Sequence, residues 1–148
     1  MNVKEAAERL EYLCENIPSL LENISEEDFS IRPSPLKWSK KEILGHLIDS
    51  AANNQQRFVR VQFEDVPFIK YDQDNWNKFS YHQKINGKTV IEFWKEHNKY
   101  LAEIIKNIPE ELLNRECDWG GEKNVSLEYL IIDYVAHQEY HLKQIVIY

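Results

Sequence analysis

The stretch from Phe63 to Lys88, FEDVPFIKYDQDNWNKFSYHQKINGK, separates two strongly helical patterns and decides how the helices are connected. It is much longer than the loops that join antiparallel helices, even with the helical turn that we expect near Trp76. A connection of this length can travel from one end of a helical bundle to the other. It therefore predicts that the helices before and after this crossover are parallel.

Two amphipathic helices are predicted before the crossover. In the first, apolar residues recur at spacings of three and four from Val3 to about Pro18, with a resumption to Ile24. The second covers about 39–62 and begins at a capping box, Ser39–Glu42, in which serine and glutamate satisfy each other's exposed amides.

Two further helices are predicted after it. A second capping box, Thr89–Glu92, opens the third helix, and Pro109 ends it. Ser126 caps the fourth helix, which reaches almost to the C-terminus. Since no strand pattern competes, the chain is predicted to be all-α: a single domain over 1–148 that forms an up-down-down-up four-helix bundle.

Charge and composition exclude several classes of function. The net charge is −7, and no cluster of lysine and arginine interleaves with aromatic residues, so a nucleic-acid partner is not expected. No apolar stretch is long enough to span a membrane, and the charged N-terminus is unlike an export signal, so we expect a cytoplasmic protein. Two cysteines cannot form a disulfide framework, and Cys14 is expected to be a buried, unreactive thiol.

The fourth predicted helix carries His137 and His141, which lie one turn apart on the same face. Such a pair is expected by chance in roughly one chain in six, so spacing alone is weak. Both histidines continue the apolar face of Leu130 and Tyr134, which points them into the bundle. A buried hydrogen-bonded pair and a metal site are the two interpretations.

A third ligand is available from His46, on the second predicted helix. It lies about 10 Å from the start of its helix, while the midpoint of His137 and His141 lies about 14 Å from the end of theirs. These positions meet only if the two helices are antiparallel, which the long crossover also predicts. Three imidazoles leave a coordination position open, as in catalytic sites.

The ligand set accepts one divalent ion, with zinc or nickel expected first and iron or manganese also compatible. The residue after His137 is Gln138, where the metalloprotease motif H-E-x-x-H has its glutamate. A peptidase of that type is therefore disfavoured.

Three segments, KWSKKEILGHLIDSAANNQQRF (37–58), PFIKYDQDNW (67–76) and YVAHQEYHLKQI (134–145), resemble the DinB-like family. The resemblance is closest to its YfiT-type branch, which is related to bacillithiol transferases. It implies an up-down-down-up bundle, often a homodimer, with a divalent metal held by His46, His137 and His141. It also picks out residues around them: Asp49, Ser50, Asn53, Arg57 and Phe58, with Tyr71, Asp72 and Trp76 in the crossover.

Polar residues follow His46 along one face of its helix, and they include Asp49, Asn53 and Arg57. Such a strip is either solvated surface or the wall of a pocket. As a pocket, Asp49 could orient His46 or a bound nucleophile, and Arg57 could hold an anionic substrate group. Tyr71 and Trp76 are expected to form a lid or to anchor the crossover.

The two remaining histidines are not expected at the site. His82 lies in the crossover and is predicted to be exposed. His97 falls on the apolar face of the third predicted helix and is predicted to be interior.

Two functions remain open. In the first, the metal activates a small-molecule thiol or water, giving S-transfer to an electrophilic substrate or hydrolysis, and the resemblance favours S-transfer. In the second, the protein binds metal or ligand without turnover, as a stress-response or dimeric interaction module, because no general base is clearly placed. A purely structural bundle is the third interpretation.

Overall fold

The computed structural model describes every residue from Met1 to Tyr148. Four long helices and two short ones make up most of the chain: α1 (Val3–Glu22), α2 (Glu26–Phe29), α3 (Lys40–Arg60), α4 (Gln73–Ser80), α5 (Gly87–Asn107) and α6 (Leu127–Leu142). Two short antiparallel strands, β1 (Glu116–Cys117) and β2 (Val125–Ser126), form a hairpin before α6. No helix is both long and apolar enough to cross a membrane.

Side-chain contacts define the direction of the helices around α3. The start of α3 meets the end of α6, where the rings of His46 and His141 lie 4.8 Å apart. Further along, Phe58 meets Tyr134. Residue numbers increase along α3 from the first contact to the second and decrease along α6, so the two helices are antiparallel.

The other pairs complete the bundle. The start of α1 shares one core cluster with the ends of α3 and α5 and the start of α6, and the end of α1 shares a second cluster with the starts of α3 and α5 and the end of α6. Helix α1 is therefore antiparallel to α3 and α5 and parallel to α6. Arg9 of α1 binds Glu139 of α6 through two hydrogen bonds of 3.0 and 2.7 Å. The order is up-down-down-up, as the length of the crossover predicts.

The starts of the helices follow the sequence signals, with one exception. The Ser39–Glu42 capping box is present, and the Ser126 hydroxyl accepts a hydrogen bond from the amide of Tyr129. The box predicted at Thr89–Glu92 is wrong, because α5 begins two residues earlier, at Gly87. Asn86 caps it instead, and the Gly87 amide donates to the carboxylate of Glu26, which extends the helix backwards.

The crossover returns along α3 to the start of that helix. Its first part pairs with the β1 strand region, where the Ile69 amide donates to the carbonyl of Asp118 at 2.9 Å. The helical turn expected near Trp76 is α4, and Asn77 within it donates to the carbonyl of Glu42 at 2.9 Å. The crossover thereby reaches the end of the bundle that holds His46.

Candidate metal centre

Three imidazoles converge between α3 and α6. Their ligand nitrogens all lie within 4.8 Å of one another, and the Nε2 atoms of His46 and His137 are 3.2 Å apart. His46 sits in the second turn of α3, while His137 and His141 occupy the last two turns of α6. The antiparallel pairing of these helices brings the three side chains together.

The spacing of the His46 and His137 nitrogens fits a metal ion, and a nitrogen of His141 lies within 4.8 Å of both. Two imidazole nitrogens bound to one tetrahedral ion at about 2.1 Å would lie about 3.4 Å apart, close to the observed 3.2 Å. A hydrogen bond between His46 and His137 would pair only their Nε2 atoms, with Nδ1 of His46 still buried without a partner, and would leave His141 without a role. One ion satisfies all three nitrogens, so the donor set fits a divalent metal.

The protonation states favour ligation. Burial, with a smaller contribution from the neighbouring histidines, lowers the pKa of His46 to about 3. Burial and the charge of His141 lower the pKa of His137 to about 4. Both imidazoles are therefore neutral at neutral pH, with a lone pair free for a metal.

Gln144 orients the ring of His141 by a hydrogen bond on the side away from the cluster. Its Nδ1 lies 2.9 Å from Oε1 of Gln144, an atom that can only accept, so Nδ1 carries the proton. The lone pair of Nε2 is then free to bind a metal ion at the cluster. Gln144 was not predicted as a site residue, although it lies one helical turn after His141.

Aromatic rings border the cluster. Trp38 lies 5.1 Å from the ring of His46, and Tyr140 lies 5.0 Å from that of His141. Trp38 is half-buried and Tyr140 is exposed, so these rings form part of the rim.

The crossover is fastened to α3 beside the cluster by a buried pair, Asp49 and His82. Nε2 of His82 lies 3.0 and 3.1 Å from the two carboxylate oxygens of Asp49, and the Ser80 hydroxyl donates to the same carboxylate. The prediction that His82 is exposed is wrong, because the crossover folds onto α3 and buries the ring. Asp49 therefore orients His82 in this structure, in place of the predicted contact with His46.

Gly45 makes this contact sterically possible. A Cβ atom at position 45 would lie 2.2 Å from Cγ of His82, far inside van der Waals contact. The glycine immediately before His46 thus lets the crossover pack against the backbone of α3.

A polar cavity of about 140 Å³ adjoins the histidine cluster. It is lined by residues from α3, α6 and the crossover, including Ser50, Asn54, Arg57, Tyr71, Asp133 and His137. Arg57 and Tyr71 were expected near the site from the sequence, whereas Asn54 and Asp133 were not.

Two other residues expected at the site lie outside this cavity. The Asn53 amide donates to the Asp49 carbonyl within α3. Trp76 packs against the ring of Tyr71 at 6.1 Å and, together with Phe79, borders a shallow surface depression.

The remaining histidine and the cysteines take no part in the cluster. His97 is half-buried, and its Nε2 lies 2.7 Å from Oε1 of Gln55, on the face between α3 and α5. Cys14 and Cys117 are buried free thiols, and burial raises the pKa of Cys14 to about 12. Cys14 is therefore an unreactive core residue, as the sequence predicts.

Comparisons with known proteins agree with this architecture. A family model described as the DinB superfamily matches residues 9–145. No curated protein gives a significant match. A solved structure, described as "YfiT from Bacillus subtilis is a probable metal-dependent hydrolase with an unusual four-helix bundle topology", superposes with a TM-score of 0.87. At 18% sequence identity it covers 97% of this chain and 83% of its own, so it establishes the fold.

Proposed function

This chain belongs to the DinB superfamily, and we propose that it is a metal-dependent enzyme that transfers a small-molecule thiol to an electrophilic substrate. The observation that carries the proposal is the convergence of His46, His137 and His141 within 4.8 Å. A divalent ion held there by neutral imidazoles supplies the positive charge that lowers the pKa of a thiol or water beside it.

The protein's own residues give this site a defined shape. Gln144 holds His141 in one tautomer, and the Asp49–His82 pair fixes the crossover beside His46. Trp38 and Tyr140 present apolar surface at the rim, which suits the carbon skeleton of an electrophile. In the reaction the thiol releases its proton to solvent, its sulfur bonds to the electrophilic carbon, and the leaving group departs with the bonding pair.

Thiol transfer suits the surroundings of the cluster better than proteolysis does. Two nearby carboxylates are already engaged, Asp49 with His82 and Glu139 with Arg9. Both nucleophiles must lose a proton, but a thiol is far more acidic than water, so a thiol beside a metal can release its proton to solvent where water depends more on a protein base.

Hydrolysis is the second candidate, and Asp133 is the observation that favours it. This carboxylate borders the cavity next to His137 without a hydrogen-bond partner, so it is available as a base. A solved structure of the same fold is described as "a probable metal-dependent hydrolase", which supports the same candidate.

Activity assays with reconstituted protein test the proposal. Protein loaded with zinc, nickel, iron or manganese is incubated with small thiols and a panel of chromogenic electrophiles, and with ester and amide substrates. Metal-dependent S-transfer is expected, with loss of activity in His137→Ala and retention in His97→Ala, whose histidine lies outside the cluster. Turnover of esters or amides alone would replace S-transfer by hydrolysis.

If bound metal gives no turnover with any of these substrates, the chain is a binding module in place of an enzyme. A homodimer is a separate prediction of the family resemblance, and sedimentation velocity measures it.

A further inference from the structure

Arg57 is a buried cation without an anionic partner. Its side chain is only 7% exposed, yet it makes no salt bridge. Nε and Nη2 both donate to the carbonyl of Ile69, at 3.1 and 2.8 Å, and Nη1 reaches Oδ1 of Asn54 at 3.3 Å. The positive charge is thus held by neutral oxygens and by the ring of Tyr71, whose centroid lies 5.9 Å from Cζ. Burying a charge in this way is costly unless an anion completes the site.

The guanidinium borders the 140 Å³ cavity beside the histidine cluster, which we name the Arg57 pocket. Asp133 lines the same cavity from α6 and forms no hydrogen bond or salt bridge. Burial raises the pKa of Asp133, and the positive charge of Arg57 offsets part of that rise, so the two groups act on each other. The pocket therefore presents a cation and an anion that face its interior without pairing directly.

The volume of the pocket limits what can bind. At roughly 30 Å³ per water molecule, 140 Å³ offers room for about five water-sized groups. This volume suits a group of the size of a small amino acid. His137 forms part of the wall, so a ligand in the pocket has one end against the histidine cluster.

On the premise of the thiol chemistry set out above, we propose that the Arg57 pocket binds a free α-amino acid thiol of the size of cysteine. Arg57 takes its carboxylate, Asp133 takes its ammonium group, and its thiol extends towards the cluster. Paired charges of this kind discriminate well, because a ligand lacking one of them leaves a protein charge without its partner.

Binding to metal-free protein tests the pocket separately from catalysis. The probes are L-cysteine and L-serine, which carry both charges, and N-acetyl-L-cysteine and L-cysteine methyl ester, which each lack one. Isothermal titration calorimetry is expected to show the two zwitterions binding at least about tenfold more tightly than either single-charge probe. Equal binding of N-acetyl-L-cysteine would mean an anion site made by Arg57 alone and would overturn the inference. Equal binding of the methyl ester, or no binding of serine and cysteine, would overturn it too.

Charge-neutral variants locate the ligand. Asp133→Asn is expected to weaken the binding of cysteine and serine about tenfold. Glu128 is an exposed acidic residue of α6 outside the pocket, so Glu128→Gln should leave the affinity for both unchanged. Arg57→Gln should have a larger effect, with Arg60→Gln of the same helix as its control. Because Arg57 also binds the Ile69 carbonyl, circular dichroism must show that its variant is still folded. Asp133 is exposed and makes no hydrogen bond or salt bridge, so unchanged affinity in its variant contradicts the inference whatever happens at Arg57.

The two proposals fail in different ways. If zwitterions bind in a way that depends on Asp133 but metal-loaded protein gives no turnover, the pocket proposal stands and the enzymatic function is rejected. If thiols that lack either charge are turned over at undiminished kcat/KM, the enzymatic function stands and the pocket proposal is rejected.

Discussion

The buried ring of His82 contacts both carboxylate oxygens of Asp49, at 3.0 and 3.1 Å, and so fixes the crossover to α3 one turn beyond His46. Asp49→Ala is expected to lower the free energy of unfolding by about 2 to 3 kcal/mol, because it leaves a buried imidazole nitrogen without its charged partner. Urea unfolding measures this, with Asp65→Asn, an exposed crossover position, as the control. Equal stability of the Asp49 variant and wild type would contradict the role given to this pair.

Gly45 should be intolerant of a side chain only while His82 is present. Gly45→Ala places a methyl group against the imidazole, so a loss of about 1 to 3 kcal/mol is expected. In a His82→Ala background the same change should be neutral or stabilising by up to about 1 kcal/mol, because alanine favours a helix over glycine. A double-mutant cycle by urea unfolding tests this reversal. Additive effects would show that the two positions do not interact.

Gln144 should tune the affinity for metal through His141. Gln144→Ala removes the acceptor at Nδ1 and is expected to weaken zinc binding by about 10-fold to 100-fold. Gln144→Glu retains an acceptor and should preserve or strengthen binding. Competition with a chromophoric chelator measures both. An alanine variant with wild-type affinity would leave the Gln144 contact without a function at the site.

The stability of the metal-free protein should fall on acidification. The pKa values of His46 and His137, about 3 and about 4 in the folded state, lie below the unfolded value of about 6.5. The unfolded chain therefore takes up more protons, and the stabilisation present above pH 6.5 is lost as the pH falls through the folded pKa values, towards about 3. A decrease of about 2 to 3 kcal/mol is expected between pH 6.5 and 5 from these two groups.

The variant His46→Asn isolates the contribution of His46 to this pH dependence. The pKa of His97 is also lowered by burial and adds a change of the same sign, so the comparison must be between proteins that both retain it. His46→Asn should lose about half of the pH dependence shown by wild type in urea unfolding. Equal slopes would place the titration elsewhere.

Helical geometry explains why the histidine cluster could be predicted from the sequence. Rise and rotation per residue are fixed within a helix, so the positions of His46 and His137 follow once the crossover implies an antiparallel pair. Metal binding itself stays a prediction, which the donor spacing supports.

Residues placed by the path of the crossover were harder to predict. The burial of His82 depends on contacts far apart in sequence, and the only local signal was a glycine within the pattern of α3, at Gly45. The start of α5 at Gly87 depends on Glu26 in the same way. Asp133 gave no signal, because a polar residue on α6 is ordinarily solvated surface.

Metal analysis of untagged protein tests the central claim most directly. Mass spectrometry of the metal content, before and after reconstitution with zinc, is expected to find one ion per chain in wild type and in His97→Ala. Alanine at His46, His137 or His141 should remove it. Absence of bound metal from reconstituted wild type, or an equal metal content in all four variants, would contradict the assignment of these three histidines as a metal centre.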